Sequence, residues 1–241
     1  MPRWGFKRLR DKNARVAEPV YLHGGIATQR PEQHTEYMLC DTCEQRFRER
    51  ETYVASLVPG ADNRVGVCGL PRTYIDEDTA LLDAGSLDCD AIAYFGLSVV
   101  WRAAVAKRTL TSVRLGPYEE PFRSYLLDPG SGFPEHAYVL VATYADGMTP
   151  GTLLDRMILM PETVAKGTHR THRFLLCGLD FHVAVGKTTP PFVRRLSLRG
   201  DNATRGILLV SFMGSNLARL VFDIGRRAKA VGGLAKRHPD R

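Results

Sequence analysis

Hydrophobic positions recur at helical spacing in the first half of the chain and at a spacing near two in the second. From Asp41 to a stop at Pro59 and Gly60, Phe47, Val54 and Leu57 fall on one side of a run rich in Arg and Glu, which predicts an amphipathic helix. Between Asp88 and Lys107, Ile92, Phe95, Gly96, Val99, Ala103 and Ala106 share one face, with Trp101 and Arg102 on a second. So wide an apolar circumference predicts the central helix, with Trp101 in the core and Arg102 paired internally to an acid such as Glu119. A third helix is expected after Gly116, where Pro117 suits a first helical position and Glu119 and Glu120 suit the positive helix end; Asp128-Pro129-Gly130 closes it. The acids Asp76 to Asp78 predict the start of a further short helix.

After residue 132 the alternation shortens. Strands are predicted at Tyr138 to Tyr144, Arg156 to Met160, Arg173 to Cys177, Phe181 to Val185, Val193 to Leu198 and Ile207 to Phe212, with the bend of a hairpin at Cys177-Gly178. The first 35 residues carry three prolines and a Gly pair and read as a loose lead-in with one short strand near Val20 to Leu22. Thr35 to Cys40 reads as extended, and residues 60 to 75 as loop with one short strand. A basic helix is expected from Ser215 to about Ala235, with Leu217, Leu220, Val221, Ile224 and Ala228 on one face. Helices first and strands afterwards give an α+β fold, with a helical N-terminal half and an antiparallel sheet-rich C-terminal half.

Length and composition fit this picture. The 241 residues allow one large domain, or a small module at 1–60 followed by a main domain at 61–241. The longest apolar runs, such as "AYVLVATYA", fall well short of the roughly 20 residues that span a bilayer, so no membrane segment is expected. No apolar segment follows the basic start, and five cysteines at uneven spacing do not form a disulfide framework. A reducing cytoplasm is the expected setting, with Cys89 and Cys177 as buried thiols.

Charge changes the picture more. Residues 1–15 carry +5 and residues 219–241 carry +5, against −3 for everything between. Arg3, Lys7, Arg8 and Arg10 at one end and Arg226, Arg227 and Lys229 at the other are therefore candidates for holding nucleic-acid phosphates.

The candidate chemistry centres on "LCDTCEQRFRERETYV", Leu39 to Val54. A Cys-x-x-Cys turn lets both thiolates face one zinc ion, and a helix beginning at the second cysteine adds N–H groups near them. Cys40 and Cys43 supply only half of a tetrahedral site. His34, six residues earlier, and Cys68, beyond the helix, are the expected further ligands, with His23 behind them. Reduced structural thiols at a helix start are the alternative. Elsewhere, His169, His172 and His182 lie near a predicted hairpin, across which His172 and His182 could meet.

Taken with "GLSVVWRAAVAKR" and "SVRLGPYEEPFRSYLLDPG", the cysteine segment resembles a family of bacterial proteins of unsettled activity known as HNH-endonuclease-like or zinc-knuckle proteins. The shared landmarks are Cys40 and Cys43 with Glu51 farther down the helix, then Trp101, Arg102 and Ala103, then Leu115, Gly116, Pro117, Glu119, Glu120 and Arg123. The resemblance covers roughly residues 37–130 and implies a treble-clef-like zinc knuckle. The chain departs from it in having no cysteine within residues 1–36 and no HxxP segment there. The resemblance therefore implies a degenerate, non-catalytic knuckle protein that binds nucleic acid through its basic ends, with a possible start upstream of Met1. The alternatives are an active metal-dependent endonuclease and a protein-interaction scaffold.

Overall fold

The computed structural model describes the strands at 20–23 and 26–29 and residues 39–58, 66–106, 112–128, 130–145, 157–165, 169–199 and 205–211, with Ser215, Ala218, Arg219 and Asp223. The elements are β1 (Val20–His23), β2 (Ile26–Gln29), α1 (Asp41–Leu57), β3 (Arg72–Tyr74), β4 (Thr79–Asp83), α2 (Cys89–Val105), α3 (Glu119–Leu127), β5 (Ala137–Tyr144), β6 (Ile158–Ala165), β7 (Arg170–Leu176), β8 (Leu179–Val185), α4 (Pro191–Leu196) and β9 (Gly206–Val210). Short 3-10 turns occupy Gly66–Gly69 and Gly116–Tyr118. The class is α+β.

The described strands form one sheet in the order β2-β1-β6-β7-β8-β5-β9-β4-β3. It is mixed: β1 runs parallel to β6 and β5 parallel to β9, while the remaining pairs are antiparallel. The expected antiparallel pairing holds for β5 to β8, and the parallel pairs β1–β6 and β5–β9 make the sheet mixed. The segment expected to stand apart as residues 1–60 supplies two strands to one edge of this sheet and a helix to its cover.

Helix α2 carries the core. Asp88 caps it, its Oδ1 accepting from the Ala91 N–H at 2.8 Å, and most of its residues are buried. It lies against the sheet at Gly96, where an added Cβ would sit 3.1 Å from Val139 and 3.3 Å from Phe181. Phe95 meets Phe174 and Phe181, which stack on each other at 4.7 Å. Side chains alternate along a strand, so these contacts place His172, Phe174, Phe181, Val139 and Val141 on the helix side of the sheet. Tyr138, Tyr144, Arg173, Asp180 and His182 take the opposite face. The sheet is buried on both faces here; all eight residues of β5 are buried.

Three local expectations are corrected. Asp76 to Asp78 do not start a helix: they form the turn between β3 and β4, with the Asp78 N–H donating to Asp76 Oδ1 at 2.9 Å, and β4 then pairs with β9. Short acidic side chains close such turns on their own backbone, and here that competes successfully with helix capping. Residues 193–198 are not a strand, because Pro191 at the first helical position starts α4, and Arg194 donates to the Thr189 carbonyl at 2.8 Å to hold it. Arg102 pairs with Glu51 at 2.6 Å rather than with Glu119, tying α2 to α1. Of the expected C-terminal helix only Ser215, Ala218, Arg219 and Asp223 are described, the Ser215 hydroxyl accepting from the Ala218 N–H; the rest lies outside the described residues.

The bend at Cys177-Gly178 is where the alternation puts it. Both residues have positive φ, 50° and 85°, the two-residue turn that matches the twist of an antiparallel hairpin.

Candidate functional site

Helix α1 begins directly at the cysteine pair. Cys40 is exposed and Cys43 half-buried. The Cys40 sulfur accepts from the backbone N–H and the thiol of Cys43, which lowers its pKa, and the same contact together with burial raises that of Cys43. The two sulfurs therefore face one another at the open head of the helix, with Cys40 the more readily ionised of the two, which suits a metal ligand pair.

Of the other expected ligands, only Cys68 falls on described backbone. His34 lies outside the described residues. The 3-10 turn that carries Cys68 packs on the far end of α1: Gly66, at φ +48°, lies so close that an added Cβ would fall 2.3 Å from the Leu57 carbonyl oxygen. From Cys43 to Leu57 the helix runs roughly 20 Å at 1.5 Å per residue, so the backbone at Cys68 stands at the wrong end to share an ion with Cys40 and Cys43. No group of three or more metal-ligating side chains occurs among the described residues. The terminal candidates Arg3, Lys7, Arg8, Arg10, Arg226, Arg227 and Lys229 lie outside the described residues.

Next to the cysteines the sequence reading missed a groove of about 420 Å³. Thr42, Gln45, Arg46, Glu49 and Arg50 line one wall at the i, i+3, i+4, i+7, i+8 spacing of a single face of α1; Tyr94 of α2, Tyr125 of α3 and the turn residues Asp128 and Ser131 complete it. Arg46 reaches across to donate to the Leu127 carbonyl at 2.6 Å, and the Tyr94 hydroxyl donates to the Leu126 carbonyl at 2.7 Å. Both satisfy carbonyls left open by the end of α3. Arg50 lies over the Tyr94 ring at 5.1 Å, and Tyr94 meets Tyr125 at 5.6 Å. Burial raises the hydroxyls of Tyr94 and Tyr125 to about 12, so both stay protonated donors at neutral pH.

A second polar cluster occupies the opposite face of the sheet. Asp180, fully buried, accepts from Arg173 Nε at 2.9 Å and Nη2 at 2.6 Å, from the Tyr144 hydroxyl, and faces His182 Nε2 at 3.3 Å. Burial alone would raise its carboxyl. The contacts of His182 and Arg173 outweigh that and hold it far below the usual carboxylate range. Burial and the neighbouring carboxylate push the Tyr144 hydroxyl up. The charge of Asp180 is thus fully matched by groups already in place, as in a structural tie between β5, β7 and β8.

His172 and His182 do not meet. In the hairpin register Arg173 opposes His182 and His172 opposes Val183, which puts the two histidines on opposite faces. His172 is buried on the helix side, its Nδ1 3.1 Å from the Thr163 hydroxyl and its Nε2 without a hydrogen-bond partner. Burial, and secondarily Arg170, lowers its pKa to about 4.

No family model matches the chain, and neither a curated protein nor a solved structure is significantly similar to it.

Proposed function

We propose that this chain is a non-catalytic, HNH-like zinc-knuckle protein that binds nucleic acid. The observation that carries the reading is the head of α1, where two facing thiols, one exposed, are followed one turn after Cys43 by Arg46 and two turns after it by Arg50, both lining an open groove. Cys40 and Cys43 supply two of four zinc ligands, and His34 is the nearest further donor along the chain. The groups at +5 on each end supply sequence-independent attraction for phosphate, and the arginines of α1 add to it. The resemblance over residues 37–130, which implies a zinc knuckle at Cys40 and Cys43, supports the same assignment.

Two measurements on the full chain test this. Elemental analysis should find zinc that chelation removes with a fall in thermal stability, and a labelled oligonucleotide should bind with an affinity that drops steeply as salt rises. Absence of zinc overturns the knuckle, absence of oligonucleotide binding overturns the nucleic-acid reading, and Mg²⁺-dependent cutting of the oligonucleotide replaces both with the endonuclease.

A further inference from the structure

The charged groups lining the α1 groove are unequally committed. Asp128 is used up by its own turn, Oδ1 accepting from the Gly130 N–H at 3.0 Å and Oδ2 from the Ser131 hydroxyl at 3.1 Å. Glu49 projects into solvent and pairs with Arg50 Nη1 at 3.0 Å. The arginines keep more in hand. Among the described residues, Arg46 gives only Nη1 to the carbonyls of α3 and Arg50 only Nη1 to Glu49, leaving N–H donors on Nε and Nη2 of each. Residues four apart on a helix are neighbours, with Cβ atoms roughly 5–6 Å apart, so the two guanidiniums can close on one anion.

The rest of the wall narrows the anion's class. Below the arginines lies an aromatic floor in which Tyr125 is tilted between Tyr94 at 5.6 Å and Phe133 at 5.2 Å. Tyr94 is buried, so Tyr125, half-buried, offers the accessible ring. Guanidinium forks match phosphate oxygens, and aromatic faces take bases without regard to their sequence. A volume of about 420 Å³ is within the range of small-ligand pockets and holds one nucleotide unit.

We propose that this groove is a nucleotide subsite, with a phosphoryl group between Arg46 and Arg50 and the ring of the same unit against Tyr125. The subsite rests on the nucleic-acid reading above and locates one contact of it on the folded body rather than on the charged ends.

The test compares the full chain with Arg50→Gln and Arg48→Gln, each removing one charge from α1, the second from an exposed position outside the groove. Circular dichroism confirms that each variant folds. The probes are adenosine monophosphate and a short fluorescein-labelled oligothymidylate at fixed salt. The subsite predicts that Arg50→Gln weakens both probes by about tenfold and Arg48→Gln by less than about twofold. Equal effects of the two substitutions mean diffuse electrostatics and overturn it. Oligothymidylate binding that ignores Arg50→Gln also overturns it, while leaving the nucleic-acid reading to the chain ends. Arg50-dependent binding of adenosine monophosphate with no oligothymidylate binding keeps the subsite and removes the nucleic-acid reading; binding of neither probe removes both.

Discussion

The polar clusters on the two sides of the sheet use the same kinds of residue and reach opposite states. Around Asp180, Arg173, Tyr144 and His182 close on one carboxylate that has no exposure to water, so its charge is met within the protein. Around Arg46 and Arg50 the acids are consumed locally or turned outward, and the guanidiniums keep unspent donors beside open space. A satisfied network holds strands together; an unsatisfied one on a rigid frame is what a ligand can complete. The difference lies in burial and partner supply, not in residue type.

The comparison breaks most visibly at Asp180. Asp180→Ala strands the Arg173 guanidinium in the interior, which should cost about 3–5 kcal/mol and lower the unfolding midpoint by roughly 10 °C or more. A loss under about 1 kcal/mol in urea titration would mean that water reaches this face and that the cluster is no structural tie.

Acid should separate the buried groups by pH window. His172 has a lowered pKa, so the unfolded chain binds a proton that the folded chain refuses between about 6.5 and 4. Stability from this residue is complete above that window and falls on acidification through it, by on the order of 3 kcal/mol. Asp180 is lowered too, and its contribution stays until the pH passes below about 4, where the unfolded carboxylate protonates first. Urea titrations across pH should therefore show two steps of loss, and His172→Gln should flatten only the upper one.

A smaller effect is expected where the two halves of the helical layer are tied. Arg102 and Glu51 are each about one-sixth exposed, at 17% and 16%, and Arg102 also lies over the Phe47 ring at 5.3 Å. A double-mutant cycle with Glu51→Gln and Arg102→Gln should return a coupling of about 1–2 kcal/mol. On the groove side, Arg50→Gln should change stability by under about 0.5 kcal/mol while reducing ligand binding, since its pairing with Glu49 is exposed. A loss of stability with no loss of binding would put Arg50 among the structural groups.

Much of the fold was legible because the core elements have strong periods. The apolar positions of α2 and the alternation of β5 and β8 fixed both kind and place, and the turn chemistry of Cys177-Gly178 fixed the hairpin. Asp76 to Asp78 and residues 193–198 misled because local acids and a Val-containing hexapeptide fit two structures, and β9 or Pro191 decided between them. The buried tie had a signal that went unread: a hairpin turning at Cys177-Gly178 places Arg173 and Asp180 diagonally on one face of otherwise apolar strands. The cysteine pair was legible as a motif, and the structure puts it at the exposed head of α1. Its neighbour, the groove, was only half legible, since one face of α1 shows in the spacing, while Tyr94 and Tyr125 join it through tertiary packing alone.

Zinc content decides the central claim that the head of α1 is the functional end. Protein purified under reducing conditions should carry zinc at about one ion per site, and the Cys40→Ser, Cys43→Ser double variant should carry none while keeping the same far-ultraviolet circular dichroism. Wild-type protein that stays free of zinc after reconstitution, or a double variant that retains it, would contradict the account.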